Sequence, residues 1–194
     1  MVNQRAFKIL GAILAVGSFT FAAEKPIDAQ HSTIHIHVGK SGLFSAAGHD
    51  HWVTAPIANG TIEEAEAPHI SFHVDAMKLT VDPDKDLSSA QQAEVQNTMQ
   101  TRVLDSARFP GIDFRSISVE KTADGWNVRG DLALHGQTHS LSVPVRKAGN
   151  AYTGRCQIKQ TDFGITPVTA GGGMVKVKNE LQIEFSIVPA NSAP

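Results

Sequence analysis

The sequence predicts an all-β protein: one antiparallel system of about eight strands, each with a single apolar face, and one helix. Three observations predict it. Residues 126–134 and 141–145 alternate apolar and polar side chains with a period of two, and a short polar stretch joins them, as in a hairpin. The same alternation recurs along most of the chain between residues 33 and 187. It gives way once, where Val95, Met99 and Val103 recur every four residues, the spacing of a stripe on a helix.

Taken in order, the chain opens with Arg5 and Lys8, followed by an uncharged run from Ile9 to Ala23. Thr20-Phe21-Ala22 puts a small residue at each position a signal peptidase inspects, so residues 1–23 are predicted to be a cleaved signal peptide. The alternative is an uncleaved anchor helix, but the run is about 15 residues against the ~20 a span needs. The mature protein is then one domain, residues 24–194, in a periplasmic or secreted location and without a stable membrane span. Ile34, Ile36 and Val38 alternate with His35 and His37 in a first strand. Residues 39–48 predict a turn and a short strand. Residues 49–53 and 57–62 predict strands parted by Pro56, and Ile70, Phe72 and Val74 alternate with His69, Ser71 and His73 in another. Glu63-Glu64 falls in an apparent turn, as a solvated acidic pair.

Ser88 and Ser89 each precede a Gln by three residues, the capping-box spacing, so a helix is predicted over Ser89–Leu104. Its narrow apolar stripe suits a lid laid on a sheet or barrel end. Ile112 and Phe114 open the next strand. In the central hairpin Trp126, Val128, Leu132 and Leu134 face one way, His135–His139 form a Gly-containing turn, and Leu141, Val143 and Val145 return. Pro144 marks an edge or a bulge, a feature compatible with a homodimer. A strand over residues 152–158 and a Gly/Thr/Pro-rich loop over 163–173 lead to a long last strand, 175–187, whose apolar face is interrupted only by Asn179. Short connections favour antiparallel pairing. The pattern itself is compatible with a sandwich or a closed barrel, and a barrel of about eight strands is either filled by side chains or holds a ligand.

Composition narrows the function classes. The chain has 194 residues, 41% apolar and 19% charged, with a formal net charge of −2. Removal of the signal peptide takes two basic residues and leaves about −4. With no Lys/Arg cluster, nothing draws nucleic acid. The single cysteine, Cys156, excludes an intramolecular disulfide, and its parity makes it an inward, apolar filler. Gly171-Gly172-Gly173 lacks the Lys-Ser/Thr and helix of a phosphate loop, and no Gly-x-Ser-x-Gly elbow occurs. No enzyme is predicted and no cofactor.

Several segments together resemble the YceI-like, polyisoprenoid-binding protein family. They are Ile27-Asp28 and His31-Ser32; Leu104-Asp105-Ser106 and Phe109-Pro110; Phe114–Thr122; Gly130-Asp131-Leu132, His135-Gly136 with Thr138, and Pro144-Val145; and Thr161-Asp162-Phe163-Gly164. Their order and spacing extend over about residues 27 to 188. The resemblance implies a lipocalin-like antiparallel barrel with a helix, secreted or periplasmic, holding an isoprenoid lipid or a quinone-like ligand. Gly42–Trp52 departs from the family's aromatic, Gly-rich stretch at this place. An isoprenoid tail suits the inward apolar faces: burying several hundred Å² gains roughly 5 to 10 kcal/mol before ordering costs. The lining candidates are Ile34, Ile36, Phe72, Val74, Phe114, Trp126, Val128, Leu132, Leu141, Val143, Ile183 and Phe185.

The nine histidines raise a second possibility, a metal-binding or metal-assisted enzyme. A His-x-His pair on a strand puts both rings on one side, and a third ligand completes a site. His49 and His51, in a Gly-flanked segment, are the candidates. His35, His37, His69 and His73 oppose Ile and Val on their strands and are predicted to be solvated. His135 is predicted to be a hydrogen-bonding turn residue. A third possibility is a structural stress protein with a bore filled by side chains.

Overall fold

The computed structural model describes residues 24–41, 50–64, 68–170 and 175–190; the predicted signal peptide and His49 lie outside them. The strands are β1 (Lys25–Pro26), β2 (Thr33–Ser41), β3 (His51–Thr54), β4 (Ile57–Glu63), β5 (His69–Asp75), β6 (Thr80–Val81), β7 (Gly111–Thr122), β8 (Gly125–Leu134), β9 (Gln137–Ala148), β10 (Ala151–Lys159), β11 (Thr169–Ala170) and β12 (Val175–Ile187). The helix α1 covers Ser89–Thr98 and runs on through a π-helical turn, Met99–Val103. The predicted antiparallel all-β fold with one helix is therefore present. Among the described residues twelve strands stand where about eight are predicted, because two-residue strands such as β1, β6 and β11 are too short to show a period.

The pairings are all antiparallel, in the order β1-β4-β5-β7-β8-β9-β10-β12-β2-β3-β6, with β11 on β12. This order makes the sheet curl. β3 and β4 stand near opposite ends of it, yet only Ala55 and Pro56 separate them. Thr54 and Ile57 are at most ~11 Å apart along the chain, so the two flanks of the sheet must be brought together. Among the described residues no strand ladder joins β3 to β4, and Ile27 next to β1 bridges to Pro189 just past β12; a sheet wrapped into a barrel shape with one split answers the choice that the sequence pattern left open. One face of every long strand then points inward, and those faces form the core.

One local feature differs from expectation and another agrees with it. The central turn is tighter than His135–His139: Leu134 pairs with Gln137, so only His135 and Gly136 turn, with φ of 51° and 75°. Both angles are left-handed, as a two-residue hairpin loop requires. A histidine bears this conformation because its ring is held in place. Its Nδ1 lies 3.0 Å from the Phe163 carbonyl oxygen, and the ring packs 4.4 Å from Phe109. Pro144 sits inside β9, opposite Asn127, and acts on the other side: the β9–β10 ladder runs from Ala148/Ala151 to Val145/Gly154 and stops there. With no N–H to give, proline makes the rest of β9 an edge toward β10.

The helix begins as its sequence dictates, with Ser88 and Gln91 completing a capping box. It is fastened by glutamines on one face. Gln92 Nε2 donates to the Val81 and Asp82 carbonyls at 3.1 and 3.0 Å. Gln96 accepts from Val81 N at 2.7 Å and donates to Leu79 O at 2.9 Å. Gln100 donates to Ala76 O and Leu79 O at 3.1 and 3.0 Å. These amides satisfy the backbone of segment 76–82, which the sheet leaves partly unpaired.

Candidate functional site

The inward faces do not meet. They enclose a cavity of about 790 Å³, in the upper part of the ~300–1,000 Å³ of small-molecule sites. A bore plugged by side chains is thus not what this sequence builds. Each predicted lining residue borders the cavity: Ile34 and Ile36 on β2; Phe72 and Val74 on β5; Phe114 on β7; Trp126, Val128 and Leu132 on β8; Leu141 and Val143 on β9; Ile183 and Phe185 on β12. They divide by burial. Ile34, Val74, Phe114, Val128, Leu132 and Val143 are packed into the wall. Ile36, Phe72, Trp126, Leu141, Ile183 and Phe185 point the same way but keep part of their surface open, which is what facing a hollow means.

Inward-facing glycines help the hollow to exist. Gly154 on β10 lies opposite Phe185, and a Cβ at Gly154 would come within 2.5 Å of Phe185 Cζ. On β8, a Cβ at Gly130 would come within 2.5 Å of Phe114 Cζ. Each phenyl ring lies back over a glycine on the next strand, the aromatic cover that β-sheet glycines accept, and so lies along the wall of the bore. Phe114 also stacks on Phe72, with centroids 5.4 Å apart.

α1 lies across one end. Val95, Met99 and Val103, the stripe visible in the sequence, line the cavity together with Leu79, Val81 and Leu104. The glutamine attachment runs beside this stripe, on the side of the helix that meets segment 76–82, so the helix acts as the anticipated lid. Lys40, His51, Glu94 and Arg102 border the cavity toward this end.

The other end is a rim made by the end of β4 and the starts of β5, β8 and β10. Glu64, one residue past β4, accepts hydrogen bonds from Lys25 Nζ at 2.6 Å, from Lys147 Nζ at 3.2 Å and from the Tyr152 hydroxyl. Lys147 Nζ is also 3.2 Å from the Tyr152 oxygen, and the Tyr152 ring meets Trp126 edge-on at 5.7 Å. Lys25 first, then Tyr152 and Lys147, hold the Glu64 carboxyl at about 2. Burial, and next the Glu64 carboxylate, push the Tyr152 phenol up, so it remains a neutral donor. This corrects the reading of Glu63-Glu64 as a solvated pair: Glu64 borders the cavity and joins three strands. The parity that puts Ile62 inward puts Glu64 inward too, and that signal was available in the sequence.

The histidines separate cleanly. His35, His37 and His73 project from the outer face as predicted, beside Asp82 at 4.0 Å, Asp50 at 3.3 Å and Asp113 at 2.8 Å, whereas His69 stands at the rim of the cavity, 3.0 Å from Glu63. His135 makes its predicted turn hydrogen bond, and His139 packs edge-on against Phe163. His51 borders the cavity, while His49 lies outside the described residues. Among the described residues no three His, Cys, Asp or Glu side chains are placed to hold a metal ion. Cys156 lies on the wall, and burial pushes its thiol up to about 11, so it is a neutral filler. Among the described residues no helix is long and apolar enough to cross a membrane.

Comparison with known proteins agrees with this architecture. The model of the YceI-like domain family matches residues 26–188. The fold is similar to that of BcnA from Burkholderia cenocepacia, with a TM-score of 0.63 and 18% identity over 84% of this chain and 99% of that one. It is also similar to a polyisoprenoid binding domain from Saccharophagus degradans, with a TM-score of 0.57 and 14% identity over 88% of this chain and 100% of that one. No curated protein sequence matches the chain.

Proposed function

This chain belongs to the YceI-like domain family, and on that premise we propose that it is a lipid-binding protein that holds an isoprenoid-type chain, polyprenyl or quinone-like, in its bore. The observation that carries the reading is the cavity of about 790 Å³, walled by apolar side chains that keep surface open toward it. Water in such a space finds few partners, whereas an insoluble tail gains ~25 cal/mol per Å² of apolar surface it buries. The polyisoprenoid binding domain from Saccharophagus degradans shares the fold and supports the same ligand class. On this reading the role is binding and shielding of the lipid. The protein acts outside the cytoplasm, after removal of residues 1–23; the sequence of the mature N-terminus in fractionated cells tests this, and a chain retaining Met1 in the cytoplasm would refute it.

Native mass spectrometry of protein purified from its own compartment tests the central reading. The expected result is an adduct, lost on organic extraction, whose fragments carry repeating isoprene units. Protein that is reproducibly empty and takes up no long prenol would overturn the proposal.

A further inference from the structure

The ligand's polar end also has a place to be read. The walls are apolar along their middle; at the lid end Val95, Met99 and Val103 cover the cavity, with Lys40, His51, Glu94 and Arg102 at its border. At the far rim, Tyr152 and Glu64 border the same cavity with polar atoms. Resting on the lipid-binding reading above, we infer that the Tyr152–Glu64–Lys147 cluster is the head-group site, that the tail runs toward α1, and that the head it accepts is uncharged: the hydroxyl of a prenol or the carbonyl of a quinone.

The charge at the rim carries the argument. Direct ion pairs link Glu64 to Lys25 and Lys147, and His69 to Glu24 and Glu63. Three carboxylates, those of Glu24, Glu63 and Glu64, thus stand against two ammonium groups and one imidazole. The Arg115 guanidinium acts on Glu24, but from the outward parity of β7, away from the bore. Both lysines are already engaged by Glu64. A diphosphate would have to detach them from a carboxylate that stays ionised, and like charges brought together at this range repel strongly. A hydroxyl or carbonyl asks for much less. Lys147 has an N–H beyond those given to Glu64 and Tyr152, and the Tyr152 oxygen accepts a hydrogen bond from a ligand hydroxyl. Trp126, edge-on to Tyr152, supplies an apolar shoulder for the first isoprene unit or a quinone ring. Positions that hydrogen-bond a ligand's polar atom discriminate more sharply than apolar walls do.

The test uses the full mature chain and four ligands with the same isoprenoid tail skeleton: geranylgeraniol, a quinone with a geranylgeranyl tail, geranylgeranyl diphosphate, and phytane, which has no head. The first two should bind with similar Kd, and the diphosphate ~10-fold or more weaker. Glu64→Gln should narrow that gap severalfold by removing the rim's fixed negative charge. Tyr152→Phe, which keeps the ring, should weaken the prenol ~5-fold and leave phytane unchanged. That split separates head-group reading from loss of fold, and a thermal melt of each variant checks the fold directly. Diphosphate binding as tight as prenol, or selectivity that ignores both variants and moves with Lys40→Gln, would overturn the inference while leaving lipid binding intact. Failure of every ligand, phytane included, would overturn the lipid-binding reading with it.

Discussion

The carboxylate of Glu64 and the hydroxyl of Tyr152 meet at the rim of the bore although 88 residues separate them. Glu64 belongs to the end of β4 and Tyr152 to the start of β10, which the sheet order keeps five pairings apart. Only a wrapped sheet brings them together, so this contact reports on closure of the barrel as well as on its chemistry.

That contact gives stability an acid limb. The folded Glu64 carboxyl sits at about 2, below its ordinary 4.5, so as pH falls the unfolded chain takes up this proton first. The stabilisation is whole above about 4.5 and is lost as pH drops toward 2. Solvent around the part-exposed group screens the ion pairs, which keeps the contribution to about 1 kcal/mol. Glu64→Gln should lower the thermal midpoint by ~2–4 °C at neutral pH. The gap should shrink below pH 4.5 and close near 2. A gap independent of pH would contradict the assignment.

The Gly154–Phe185 pair makes a steric prediction. Gly154→Ala places a methyl 2.5 Å from Phe185 Cζ and 2.7 Å from Pro144 O, so the ring must tip into the bore. The expected cost is ~1–3 kcal/mol, with shorter prenols preferred over longer ones. Adding Phe185→Leu should return part of the lost stability, a coupling that a double-mutant cycle measures. Strictly additive effects would show that the ring does not depend on the glycine.

The lid is held by amides, and that can be tested. Gln96→Ala leaves Val81 N without the acceptor it has at 2.7 Å, an unmet backbone donor that costs ~1–3 kcal/mol. Hydrogen exchange should speed up over residues 89–103 while β7–β9 stay protected. Uniform loss of protection would mean that the helix is part of the barrel's folding unit and not a separately opening lid.

The alternation of the strands was enough to place the twelve lining positions on the inward face, because side-chain direction follows from period two alone. It also identified the stripe of α1 and the outward histidines. What it missed depends on neighbours distant in sequence. The glutamine ladder needs segment 76–82 beside the helix, and nothing local in Gln92, Gln96 and Gln100 points there. Gly130 and Gly154 read as weak strand positions until Phe114 and Phe185 are seen lying over them. The central turn reads as His135–His139 because no apolar residue recurs between Leu134 and Leu141; the Phe163 carbonyl and the Phe109 ring that hold His135 in a two-residue turn come from elsewhere in the chain. Asn179 was legible as an interruption but not as a bulge. The β12–β2 register shifts between Val177 and Leu181, and Asn179 exchanges hydrogen bonds with Thr161 across the kink.

The two tryptophans give the central claim its most direct measurement. Trp126 lines the bore, whereas Trp52 is 42% exposed on the outer face beside His37. With Trp52 replaced by Phe, titration of geranylgeraniol should change Trp126 emission saturably at one ligand per chain. With Trp126 replaced by Phe, the same titration should leave Trp52 emission flat. A silent Trp126, or a response from Trp52 alone, would place the lipid outside the barrel and contradict the account.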